Sequence, residues 1–377
     1  MSLPPPSPAA TVTFFAALQQ LPDPRDKRGK RHQLALVLCG VILAIMAGRA
    51  RVSAIHRFLR NRLSWLSEIT NTPVTRCISR AHLPRLLARV DWEALTTLSL
   101  AHFGVQVEAP AAGEWVALDG KALRGSRGEQ VVLARTHQSG DILAHQPLTG
   151  PKASEVPTVR SVLAQPPLQG RKVTLDALHC NPVTTAQIHQ AQGGYLVQLK
   201  ANQPTLLAAV HAVVATAAPL GSQPSVDKAH GRLEARHATC FSLADLPLPP
   251  RWQASGLCSV VRVTRTTTQL KTAKQSQAVA YYVTNQAAAT PAAQDDLVTA
   301  IRGHWSCEAD HWRRDVTLQE DQIRVKQPTQ AHGLGVLRTL VLRVFRCVGA
   351  PNYQALIETL ADSPSRFKQL LCQVGFL

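Results

Sequence analysis

Two aspartates stand where the sequence predicts that strands end, and their type suggests metal-assisted chemistry. Asp119 closes a strand predicted over 114–119, and Asp176 closes one predicted over 172–176. In open α/β sheets, ligands bind at the carboxyl ends of the strands. Hard divalent cations take oxygen ligands, and phosphoryl transfer at paired Mg²⁺ ions needs carboxylates from separate elements. Either aspartate alone could simply cap a following helix, but the pair favours a metal site.

A third acid is expected from a helix predicted over 302–315. Four of its polar residues are spaced to share one helical face: His304, Glu308, His311 and Asp315. Trp305 and Trp312 fall on an adjacent stripe, where we expect them to anchor the helix against the sheet. At least one residue of the polar face, His304 above all, should then approach a phosphate or the metal-bound water. The alternative interpretation is a solvated helix whose tryptophans pack on the core.

The overall charge indicates an acidic partner, with nucleic acid the first candidate. Among 377 residues, 41 Lys and Arg outnumber 24 Asp and Glu, for a net charge of +17. Between residues 23 and 62, ten Lys or Arg residues stand against two aspartates. This cluster predicts phosphate contacts near the front of the chain, although a solvated helical face would have a similar composition.

The elements that must position the acids change in type along the chain. Residues 33 to 100 have helical periodicity and predict three to five helices, and a Pro/Ala/Gly stretch over 109–113 predicts a linker. Strands are predicted at 114–119, 131–135, 172–176 and 195–200, with helices at 155–163 and 182–192 between them. The fold class is therefore α/β, with parallel strands, a β-rich insertion at about 205–290 and a helical end beyond Asp295. We predict three domains: 1–112, 113–345 and 346–377.

Other features exclude several classes of protein. The eight cysteines form no CxxC pair or zinc-ribbon spacing, so we expect reduced thiols and a cytoplasmic protein. The first eight residues predict a short disordered leader and lack the regions of a signal peptide. The apolar run 34–48 is shorter than a membrane span and predicts a buried helix.

With these residues in view, the sequence resembles the bacterial insertion-sequence transposases of the DDE class, in the H-repeat-associated group. The resemblance rests on an ordered series of motifs, which lie at 23–25, 28–32, 117–126, 152–156, 174–179, 194–205, 230–234, 281–283 and 302–315, with Glu320 and Asp321 following. It implies a ribonuclease-H-like catalytic core, interrupted by the β-rich insertion and preceded by an all-helical associated domain.

The resemblance also implies roles for individual residues. Asp119, Asp176 and Glu308 would be the catalytic acids and the ligands of two Mg²⁺ ions, for which Mn²⁺ can substitute. When bound, these ions would activate the attacking water and stabilise the leaving 3′ oxygen. The expected DNA contacts are Arg25, Arg28, Lys30, Arg31, Lys121, Arg124, His179, Lys200, Asn202, Arg302 and His304.

The implied function is a transposase that binds the terminal inverted repeats of its own element, cleaves there and transfers the strand to target DNA. The partners would be double-stranded DNA and, because two ends must meet, a second copy of the chain. We expect the protein in the bacterial cytoplasm, associated with the nucleoid. No membrane partner is expected.

Two other functions remain open from the residues. His304, Glu308 and His311 have a spacing that permits a zinc hydrolase, but HExxH is absent, and zinc would leave the strand-end aspartates unexplained. A transposase-derived DNA-binding protein without nuclease activity would have the same motifs. Zinc-dependent cleavage would favour the first, and binding without cleavage the second.

Overall fold

The computed structural model describes residues 12–26, 30–104, 113–126, 129–148, 155–229 and 231–377. The predicted leader, Arg28 and linker residues 109–112 lie outside these ranges. So does the side chain of Arg124, whose backbone belongs to a short 3-10 helix, Arg124–Ser126.

The front of the chain is helical, as its periodicity predicts. The helices of its described residues are α1 Phe14–Leu18, α2 Leu34–Met46, α3 Val52–Asn61, α4 Leu63–Ile69, α5 His82–Leu87 and α6 Trp92–Phe103. Every residue of α2 is buried, which confirms the buried helix predicted from the apolar run. No helix in the described ranges is long and apolar enough to cross a membrane.

In the described ranges the middle of the chain forms one mixed sheet of nine strands, and the fold is therefore α/β. The strands are β1 Val116–Leu123, β2 Glu129–Thr136, β3 Ile142–Pro147, β4 Val173–Leu175, β5 Tyr195–Leu199, β6 Gly221–Ala229, β7 Arg232–Ser242, β8 Ser259–Gln269 and β9 Gln275–Thr284. Their order in the sheet is β3-β2-β1-β4-β5-β9-β8-β7-β6. Strands β1, β4 and β5 are parallel, whereas β1 to β3 form an antiparallel meander. The predicted insertion, β6 to β9, continues the sheet, since β9 pairs antiparallel with β5.

Helices cover the sheet and end the chain. They are α7 Glu155–Leu163, α8 Pro182–Gln190, α9 Pro204–Thr216, α10 Pro291–His304, α11 Ser306–Trp312, α12 Pro328–Val348, α13 Tyr353–Asp362 and α14 Pro364–Gln373. The single helix predicted over 302–315 is interrupted, because α10 ends at His304 and α11 passes into a π-helical turn, Arg313–Thr317.

The N-terminal and C-terminal helices share one hydrophobic core. Phe14, Leu38 and Leu87 belong to the same buried cluster as Leu340 and Phe376. Helix α12 also packs against β2 and β3, and so joins this core to the sheet. The boundaries at 112 and 345 stay predictions, but a fragment 1–112 would expose the apolar faces that α12 to α14 cover.

Two strand predictions need correction. β1 does not end at Asp119 but runs on to Leu123, because residues 120–123 also pair with β2, Gly120 opposite Val132. The strand β3 was not predicted, although it completes the meander.

Candidate active site

The two predicted strand-end aspartates lie beside each other at one edge of the parallel strands. β1 and β4 pair in register at Val116–Val173 and Ala117–Thr174, so two residues further on Asp119 and Asp176 stand at the same level. Asp176 follows the last residue of β4 and caps the 3-10 helix Ala177–His179, where its carboxylate accepts the Leu178 N–H at 3.0 Å. Asp176 is therefore both the N-cap of this short helix and a member of the acid pair.

The electrostatics of Asp119 show that carboxylates gather here. Burial raises its pKa to about 6, and the negative charges of Asp176 and Glu155 add to the rise. A hydrogen bond from the Gly120 N–H acts in the opposite direction. Such a shift is typical of a site where like charges are held together for chemistry.

Glu155 is the acidic residue of this site to which sequence reasoning gave no role. It is the first residue of α7, and its carboxylate accepts a hydrogen bond from His179 Nε2 at 3.2 Å. The signal was present, since Glu155 lies within the motif over 152–156 that carries the family resemblance. The contact between Glu155 and His179 joins two separate segments of the chain, so no periodic pattern in the sequence predicts it.

His179 and Asn202, two predicted DNA contacts, each hold the turn after Asp176, but only His179 is buried. Asn202 is exposed, so its DNA contact stays a prediction. The side chain of His179 is 1% exposed, which leaves no surface for a phosphate. Asn202 donates to the carbonyl of Ala177 at 2.7 Å and so holds the same turn.

Helices α10 and α11 bring two histidines to the acids. His304 Nδ1 lies 3.0 Å from the hydroxyl of Thr174, which also contacts His137 Nε2 at 2.9 Å. Burial lowers the pKa of His304, and it lowers that of His137 to about 3, so both rings are neutral at pH 7. His311 Nδ1 lies 3.8 Å from Asp119 Oδ2, and burial, with the charges of Lys121 and Arg314, lowers the pKa of His311 to about 4.

The tryptophans lie on the opposite side from the one predicted. Trp305 is 54% exposed and Trp312 is 60% exposed, so neither anchors the helix against the sheet. The buried side of α11 consists of Cys307 and Asp310. Burial, together with the charge of Asp119, raises the pKa of Cys307 to about 12, which places this thiol beside the acid site.

Glu308, the predicted third acid, is exposed and faces a basic groove of about 680 Å³. The groove lies between α10–α11 and the insertion strands. The cations that line it are Lys200, Arg232, Arg236, Arg265 and Arg302, and Glu234, Tyr282 and Trp305 also border it. Asp119 and Asp176 do not line it, but Glu308 is adjacent in sequence to Cys307, whose thiol feels the charges of both Asp119 and Glu308.

The remaining predicted DNA contacts divide into buried and exposed residues. Lys121 is buried, and its ammonium lies 2.6 Å from Asp315 and 3.5 Å from Glu320, so its predicted phosphate contact is replaced by an ion pair. Arg25 is also buried and binds Asp23 and the carbonyl of His32. Lys30 and Arg31 are exposed, at the border of a cavity of about 1030 Å³ in the helical region.

Glu320 and Glu234 are each paired with an arginine and therefore do not replace Glu308 as the predicted third ligand. Glu320 is buried, and although burial alone would raise its pKa, Arg314 lowers it to about 2 through its charge and two hydrogen bonds. Glu234 is paired with Arg236.

The donors that converge are oxygen atoms, which suit a hard divalent cation. Within the described ranges, no three His, Cys, Asp or Glu side chains are arranged to hold a metal ion. Mg²⁺ commonly takes only one or two carboxylates and completes its coordination with water and substrate phosphate, so the Asp119–Asp176 pair fits it. Structural and catalytic zinc sites need three or four protein ligands, which His304, Glu308 and His311 do not form here.

Comparisons with known proteins decide the family. The model of the family described as DDE_Tnp_1-associated matches residues 15–103, the helical front of the chain. The chain is 24% identical over 348 residues to the "Putative transposase YncI" of Escherichia coli O157:H7, covering 86% of this chain and 85% of that protein. It is also 24% identical over 355 residues to the "H repeat-associated putative transposase YhhI" of Escherichia coli K12, covering 86% and 88%.

The chain belongs to the H-repeat-associated family of DDE transposases. A further relative, from Xanthobacter autotrophicus and known as the "Uncharacterized protein in dhlA 3'region", is 30% identical over 257 residues, covering 64% of this chain and 85% of that protein. The matched associated domain, 15–103, spans α1 to α6. In this family setting, the acid pair and the adjoining basic groove are the candidate machinery.

Proposed function

We propose that the protein is a DNA transposase that cleaves the inverted-repeat ends of its element and transfers them to target DNA. The observation that carries the proposal is that Asp119, on β1, and Asp176, directly after β4, stand at the same level of two adjacent parallel strands in a member of this family. The sheet order β3-β2-β1-β4-β5, with the acids on β1 and directly after β4, supports a ribonuclease-H-like core.

The residues divide the work of the reaction. Asp119 and Asp176 would hold Mg²⁺ or Mn²⁺, with Glu308 as the third acid from α11. Such ions, when bound, activate water and neutralise charge on the phosphate. Water attacks the phosphorus, the bond to the 3′ oxygen breaks, and the freed 3′ hydroxyl attacks a phosphodiester of the target, so no covalent protein intermediate is needed.

The basic groove supports DNA as the partner. Its lining carries five cations against two acids, Glu234 and Glu308, although Asp227 also pairs with Arg236 and Arg302. We propose Lys200 and Arg302 as phosphate contacts, together with Arg232, Arg236 and Arg265. A phosphate would have to replace Asp227 as the partner of Arg236 and Arg302. DNA held by these cations would bring its scissile phosphate toward α11. Two element ends must meet, so the active form would be a homodimer.

Cleavage of a labelled duplex tests the proposal. The duplex carries the inverted repeat that flanks the coding sequence, and it is incubated with Mg²⁺, Mn²⁺, Zn²⁺ or EDTA. We expect Mg²⁺- or Mn²⁺-dependent cleavage that Asp119→Asn, Asp176→Asn and Glu308→Gln each abolish, while duplex binding persists because metal ligands serve chemistry more than affinity.

The matched control is Glu358→Gln, which removes one negative charge from an exposed position on α13 and should cleave normally. Retained cleavage in any acid variant removes that residue from the triad. Binding without cleavage by the wild type would show a nuclease-inactive DNA-binding protein, and dependence on Zn²⁺ alone would show a zinc hydrolase.

A further inference from the structure

The carboxylate of Glu155 lies against the backbone that follows Asp119. A methyl group at residue 120 would stand 2.8 Å from Glu155 Cδ and Oε1 and 2.9 Å from Oε2. Gly120 therefore leaves the space that this carboxylate occupies. The φ angle of Gly120 is not in the left-handed region, so close approach to Glu155 is the feature that favours glycine here.

The same carboxylate also holds the turn that follows Asp176. His179 Nε2 donates to Glu155 Oε1 at 3.2 Å and lies 3.8 Å from Asp176 Oδ1. His179 is the last residue of the 3-10 helix that Asp176 caps. The single Glu155 side chain, from α7, therefore contacts both the backbone that follows Asp119, on β1, and the turn that follows Asp176.

We propose that Glu155 is a positioning residue of the acid pair and sets its affinity for a divalent cation, an inference that rests on the proposed function. A third carboxylate beside two others is unfavourable in the metal-free fold because like charges repel, and a bound cation would relieve that repulsion. Lys121, the nearby cation on β1, is already paired with Asp315 and Glu320. Glu155 therefore adds negative charge that a bound cation can offset.

Glu155 acts from outside the ligand pair. The described side chains include no group of three that is arranged to hold an ion, so Glu155 works through His179 and through its charge. Carboxylates that orient a metal site in this way typically alter metal affinity about 10- to 100-fold when they are removed.

Binding of Mn²⁺ to the full-length protein, measured by electron paramagnetic resonance, tests the inference without DNA or activity. Glu155→Gln keeps an oxygen that can accept from His179 but removes the charge, and we expect it to weaken Mn²⁺ binding about 10- to 100-fold while the Tm of the metal-free protein stays the same or rises, because a like charge is removed. Glu155→Asp should restore part of the affinity, and Glu358→Gln should bind as the wild type does. Equal affinity in Glu155→Gln and the wild type would overturn the inference.

Gly120→Ala provides an independent variant, because its methyl group displaces the Glu155 carboxylate without removing it. Gly120→Ala alone should weaken Mn²⁺ binding, but in the Glu155→Gln background it should cost little further affinity, since the charge that its methyl group displaces is already gone. Additive losses of Mn²⁺ affinity in the double variant would contradict the inference. If Asp119→Asn and Asp176→Asn abolish Mn²⁺ binding but Glu155→Gln does not, this inference fails alone; if the wild type neither binds Mn²⁺ nor cleaves, the proposed function fails with it.

Discussion

At the scale of single residues, Asp119 shows that the candidate site holds carboxylates close together even though their repulsion lowers the stability of the metal-free fold. Its pKa is raised from 3.8 to about 6 by burial and then by Asp176. The folded protein therefore holds the Asp119 proton up to about pH 6, whereas the unfolded chain releases it near pH 3.8. Ionising Asp119 consequently destabilises the metal-free fold as the pH rises through that window.

It follows that Asp119→Asn should stabilise the metal-free protein above pH 6. The shift of about two units corresponds to roughly 3 kcal/mol, and because the side chain is 32% exposed, solvent screening reduces our expectation to about 1–2 kcal/mol. Urea unfolding in EDTA at pH 7.5 and at pH 4 measures it. The advantage of the variant should shrink toward zero at pH 4, and a variant less stable than the wild type at pH 7.5 would contradict the electrostatic account.

At the scale of elements, the orientation of α11 leads to a second stability prediction. Trp312 is 60% exposed, so Trp312→Ala should change the free energy of unfolding by about 0.5 kcal/mol or less. Trp252 is fully buried in the core of the sheet, and Trp252→Ala should cost about 3–5 kcal/mol. Chemical denaturation of the two variants compares them directly, and a loss above about 2 kcal/mol in Trp312→Ala would mean that this side chain is buried in solution.

The elements also show what sequence patterns can and cannot predict. Periodicity located α2, α7 and the alternating strands of the insertion, because each depends on its own residues. Periodicity predicted the wrong buried side of α11. The large apolar side chains of the tryptophans favoured their burial against the sheet, but the structure buries Cys307 and Asp310 instead. The length of β1 and the role of Glu155 depend on pairing with distant segments, which no local window contains.

At the scale of the whole molecule, α12 ties the helical region to the sheet through buried charge. Arg343 donates to Asp141 at 2.9 Å and also bonds Ser99 on α6 and the carbonyl of Ile142 on β3. Arg346 reaches the same aspartate at 3.0 Å. Removing either partner of such a buried, hydrogen-bonded ion pair is strongly destabilising, because the other charge stays buried without compensation. The cluster therefore fixes how the helical region and the sheet pack together.

The shared core of the two chain ends leads to the last prediction. The Phe14 and Phe15 N–H groups donate to the carbonyls of Gly375 and Phe376, both at 2.9 Å, so the two ends of the described chain touch. Residues 12–104 alone would leave the faces covered by α12 to α14 open to water, and we expect no cooperative thermal transition from this fragment.

A permuted fragment that joins residues 318–377 through a short Gly/Ser linker to residues 12–104 should instead unfold cooperatively, because it restores the buried contacts of Leu340 and Phe376. Circular dichroism of both fragments during heating makes the comparison. Since Arg343 would lose Asp141 and the carbonyl of Ile142 in this fragment, the Tm of the fragment should lie below that of the full chain. A sharp transition in residues 12–104 alone would show instead that the N-terminal helices form a domain without the C-terminal ones.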